Sequence, residues 1–119
     1  MKRLFYYTDI CMLLSKEEKG FEKIRRCLDI FEENRDSLTI VWGLPASQRK
    51  DLALLNPNVA EGFDTLLDDF RKRGLGEIIE TEDLLTVLTG CDAYYGDASE
   101  ILYYAQRNHI PAMVADVNL

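Results

Sequence analysis

Cys91-Asp92-Ala93-Tyr94-Tyr95-Gly96-Asp97-Ala98-Ser99-Glu100 reads as a short buried strand, Ala93 to Tyr95, that stops at a glycine and enters a helix running from Glu100 to about Asn108. Gly96 permits a tight turn, Asp97 or Ser99 can cap the helix, and the first N–H groups of that helix have no intrahelical partners. A strand that turns at a glycine and opens a helix is a place for an anion such as phosphate or pyrophosphate. It is equally the ordinary strand-to-helix connection of an α/β domain.

The rest of the chain repeats the alternation. Leu4 to Thr8 predicts a first strand, Asp9 to Ser15 a connection, and Lys16 to Glu33 a helix that buries Phe21, Ile24, Leu28 and Phe31 on one face. Leu38 to Trp42 is β-branched and continuous enough to be a strand covered on both sides, and it ends at Gly43-Leu44-Pro45. A short helix over Ser47 to Leu55 precedes a longer one opened by Asn56-Pro57 and stopped by Gly74. Gly76 to Ile79 is a third strand, Thr81 caps a short helix through Leu88, and Ala112 to Ala115 is a fifth strand. Five strands alternating with helices predict an α/β, three-layer Rossmann-like domain over residues 1–119. Its parallel sheet, of order 3-2-1-4-5, carries helices on both faces. Ligands of such sheets sit at the carboxyl ends of the strands near the switch in strand order. Asp9, Trp42 and Glu82 are therefore rim candidates, Asp9 beside Asp97; Trp42 reads mostly as strand packing, although an aromatic at a strand end could stack on a cytosine ring.

The net charge of −7 disfavours nucleic acid and anionic membranes as partners. Three widely spaced cysteines argue against a disulfide framework or a zinc site and fit a reducing cytoplasm, and with His109 the only histidine there is no metal centre. Asp9 interrupts the apolar start, which excludes a signal peptide, and no segment is long enough to span a membrane. His109 reads as a helix C-cap, Cys91 as core, and Asp64, Asp68 and Asp69 as a solvated helix face.

Trp42, Gly74-Leu75-Gly76-Glu77-Ile78-Ile79, the Cys91 to Ser99 run and Ile110-Pro111-Ala112-Met113 resemble the C-terminal half of bacterial CDP-glycerol glycerophosphotransferase-like proteins. Those proteins have the GT-B fold, two Rossmann-like halves with the nucleotide held mainly by the C-terminal one. The resemblance implies that Gly96, Asp97, Ala98 and Ser99 form the loop holding the diphosphate of a CDP-linked donor, with no cofactor. The chain departs from the family at Gly43 to Ala46, where the family's Arg and His are missing, and at Glu100, where the family has a second Ser. The resemblance therefore implies a binding domain without catalysis of its own, partnered by a separate acceptor-half protein or by a second copy.

Ser99-Glu100-Ile101 with Tyr103-Tyr104-Ala105 is similar, more loosely, to the nucleoside deoxyribosyltransferase-like group, which implies Glu100 as a carboxylate nucleophile. A third expectation is a protein-interaction module whose ligand rim is closed. A phosphorylated receiver domain is excluded, since Asp9 is a single acid and no Lys follows Lys72.

Overall fold

The computed structural model describes residues 1–115. Strands β1 (Lys2–Tyr7), β2 (Leu38–Pro45), β3 (Gly76–Thr81), β4 (Ala93–Gly96) and β5 (Ala112–Val114) form one sheet of order β3-β2-β1-β4-β5. Every pairing is parallel. The predicted topology and strand order are observed.

Side chains alternate across the sheet, so successive residues of β1 enter different cores. Tyr6 joins Ile40, Trp42 and Leu44 under helices α1 (Ile10–Lys16), α2 (Glu18–Glu33), α3 (Gln48–Leu55) and α4 (Pro57–Arg73). Phe5 and Tyr7 join Tyr94 under α5 (Leu84–Thr89) and α6 (Glu100–Arg107). Helix α4 is bounded as its sequence requires. Asn56 accepts the Val59 N–H at 3.3 Å, Pro57 occupies the first turn, and Gly74 closes the helix in the left-handed region at φ 66°.

Several element boundaries differ from expectation: β2 continues past Trp42 to Pro45 and β3 past Ile79 to Thr81. The stretch read as a connection after β1 is helix α1, because the Asp9 carboxylate accepts the Cys11 N–H at 3.0 Å and caps it. Glu17, at φ 49°, then turns the chain into α2, a left-handed step taken without glycine. Thr81 is not the cap of α5. It ends β3 opposite Pro45, and Asp83 is the cap, accepting the Thr86 N–H at 3.3 Å.

The α1–α4 layer stops short of the β5 edge. An apolar groove of about 460 Å³ lies there, lined by Leu4, Ile30, Phe31, Tyr95 and Met113. Among the described residues no helix is long and apolar enough to cross a membrane.

Candidate functional site

Strand order reverses between β1 and β4, which lie side by side with Tyr7 opposite Gly96. The chain leaves β1 toward one face and β4 toward the other, so the switch point of the sheet, where crevices form in such folds, lies between their carboxyl ends. Gly96 is required by close approach: a Cβ there would lie 2.2 Å from the Tyr7 carbonyl oxygen. The Asp97 N–H then donates to that same carbonyl at 3.1 Å, locking the turn after β4 to the end of β1.

The Asp97 side chain points inward and is buried. One carboxylate oxygen accepts the Asp9 N–H at 2.8 Å, and the other accepts from the ammonium of Lys23, itself buried on α2. The predicted proximity of Asp9 and Asp97 is therefore realised through a backbone amide. Asp97 is a structural hub under the crevice, and its carboxylate does not line it. Ser99 caps α6 by accepting the Leu102 N–H at 3.4 Å, and its hydroxyl lies 3.4 Å from the Tyr94 hydroxyl. Tyr94 donates to the Asp97 carbonyl. Burial pushes the Tyr94 hydroxyl well above its ordinary pKa. Ala98 is exposed at the tip of the loop.

Of the rim candidates, Asp9 is half-buried at the mouth of the crevice and Glu82 is exposed. Trp42 is not on the rim: it is fully buried against Phe63 and Phe70, and its indole N–H donates to the Thr8 hydroxyl at 3.1 Å. Its position near a strand end suggested exposure, but α4 covers that side of β2. Gln48 secures the same turn from α3, donating to the Thr8 carbonyl at 3.0 Å, while its buried side-chain oxygen has no partner among the described residues.

Beside the first turn of α6 lies a pocket of about 430 Å³ lined by Pro45, Ser47, Glu82, Leu85, Glu100 and Arg107, among others. It brings Glu82 and Glu100 to one concavity, away from Asp9 and Asp97. Glu100 is exposed and makes no ion pair among the described residues. The described residues contain no cluster of His, Cys, Asp or Glu arranged to hold a metal ion. Cys11, Cys27 and Cys91 are free thiols.

Sequence reasoning missed Lys23, Thr8 and Gln48. For Lys23 a signal existed: it occupies the α2 stripe that buries Gly20, Ile24 and Cys27, so a charge sits where an apolar residue belongs. No protein-family model and no curated protein sequence matches the chain.

Proposed function

We propose that the chain binds a nucleotide diphosphate of the CDP-glycerol type at the first turn of α6, beside the crevice between β1 and β4 and with its nucleoside in the adjoining pocket, without catalysis of its own. One observation carries this reading. At the switch in strand order, the Gly96–Ser99 loop opens the first turn of α6 directly beside a pocket large enough for a nucleoside. The first intrahelical bond of α6 is Tyr103 N–H to the Ser99 carbonyl, so the amides of Glu100 and Ile101 precede it and suit a diphosphate. Leu85 and Ile101 supply apolar contact for a base and Glu82 an acceptor for ribose hydroxyls. The resemblance to glycerophosphotransferase-like proteins supplies the cytosine, and the free thiols suit a reducing cytoplasm.

Calorimetric titration with CDP-glycerol, CDP, CMP and ATP tests it at up to about 1 mM ligand, the range in which weak sites saturate. The expected result is heat with CDP and CDP-glycerol and little with CMP or ATP. Glu100→Gln removes a negative charge from the first turn and should tighten CDP binding about two- to five-fold. Under the deoxyribosyltransferase-like alternative the same variant would instead abolish base release from a deoxynucleoside. No heat from any ligand, with an unchanged melting temperature, removes the nucleotide reading.

A second reading is favoured by the apolar groove beside edge strand β5, where Met113 is 66% exposed and Val114 49%. Such a patch suits a protein partner, either a separate acceptor half or a second copy of the chain. Light scattering of the wild type and of Met113→Lys would register the second copy as a loss of dimer.

A further inference from the structure

We infer that Lys23 is the positioning residue of the crevice: from below, it holds the carboxylate that fixes both crevice turns. The inference rests on the nucleotide reading for its functional meaning and on the apo geometry for its substance. Three elements converge on one carboxylate. Lys23 reaches up from α2, the Asp9 N–H comes from the β1–α1 turn, and Asp97 itself belongs to the β4–α6 turn. Asp97 divides its two oxygens between them, so the turn that caps α1 and the turn that opens α6 share one anchor.

Lys23 cannot act as a phosphate ligand in this arrangement, because only 6% of its side chain is exposed and its ammonium is committed to Asp97. Its charge still matters to an anion above it. A buried carboxylate without a countercharge would repel a diphosphate at the α6 first turn, and the pair presents no net charge there. Stability alone does not account for such a pair, since apolar replacement of a buried ion pair is often neutral. Fixing geometry does account for it, because an unpaired Asp97 would rotate toward water and release the Asp9 amide.

The experiment uses amide NMR of the full chain, apo and with CDP, on Lys23→Arg, Lys23→Met and Lys23→Met/Asp97→Asn. Lys23→Met strands a buried carboxylate and is expected to be the least stable, so the double variant, which buries no net charge, carries the test. The double variant should remain folded, with α4 amides such as Leu66 and Leu67 unmoved. Its amides at Asp9, Cys11, Ala98, Ser99 and Glu100 should shift or broaden, and its CDP affinity should fall about tenfold or more. Lys23→Arg, which keeps both the charge and Asp97, should retain most of both. A folded double variant with wild-type crevice amides and wild-type affinity overturns the inference. If the wild type binds no CDP, the nucleotide reading fails alone, and the apo spectra still decide whether Lys23 sets the two turns.

Discussion

The two faces of the sheet are built differently. Under α1–α4 lies a deep aromatic core, in which the Trp42 ring meets Tyr6 at 5.1 Å, Phe70 at 5.3 Å and Phe63 at 5.8 Å between centroids. Under α5 and α6 the layer is thinner, with Phe5 stacked on Tyr94 at 5.9 Å over two short helices. The deep face also holds Lys23 and Gln48, while the shallow face carries the rim pocket and the exposed Glu100. The contrast teaches a division of labour: one face supplies most of the buried core, and the other carries the open rim. Truncation should expose the difference most strongly. Trp42→Ala is expected to cost about 3–5 kcal/mol in urea unfolding and Leu88→Ala about 2 kcal/mol, the shallow site being better able to collapse. Equal losses would break the comparison.

The fold was legible because its signals are local and repeated. A helix stopped at Gly90, a strand stopped at Gly96 and a capped helix from Asn56-Pro57 to Gly74 need no tertiary information to read. The site was legible only in outline. Gly96 and Ser99 announce a turn and a cap, but nothing adjacent to Asp97 tells that its carboxylate turns inward to Lys23, many residues earlier in the chain. Trp42 misled for a related reason: whether a strand-end aromatic is rim or core depends on where α4 packs. Glu17 likewise takes its left-handed turn with no glycine to mark it. Long-range partners decide these positions, and one chain read in order does not reveal them.

Helix caps sharpen the comparison at smaller amplitude. Asn56 caps α4 on the deep face, and Asp83 caps α5 on the shallow one, also accepting from the Thr86 hydroxyl at 2.7 Å. Each change to Ala removes a partner for an orphan N–H and should cost about 1 kcal/mol. The expected distinction lies in hydrogen exchange. Asn56→Ala should lower protection across the whole domain, because α4 unfolds only with the core, whereas Asp83→Ala should lower it mainly in α5. Domain-wide loss in Asp83→Ala would show that the shallow face unfolds with the deep one.

The last effect is absent at neutral pH and separates two neighbours in sequence. Tyr6 points into the deep core and Tyr7 into the shallow one. Burial raises both hydroxyls. Tyr7 is pushed up from 10.0 to about 12, with the charges of Asp9 and Asp97 adding to burial, and Tyr6 is raised well above 10.0, with Cys27 beside it. A tyrosine whose pKa is higher in the folded than in the unfolded chain stabilises the fold at every pH below its unfolded value. That contribution is lost as pH rises from about 10 through the folded value, since the unfolded chain then releases the proton first. Urea midpoints should therefore hold steady up to about pH 10 and fall between pH 10 and 12. Tyr7→Phe and Tyr6→Phe should each flatten part of that fall from about pH 10 upward, because both start from the same unfolded value, and the Tyr6 share should continue past the folded value of Tyr7. Tyrosinate absorbance gives the order directly: Tyr7 should ionise in the folded protein and Tyr6 only as the domain unfolds. Ionisation of Tyr6 ahead of unfolding would mean that water reaches the deep core beside Cys27, and the contrast between the two faces would not hold at that point.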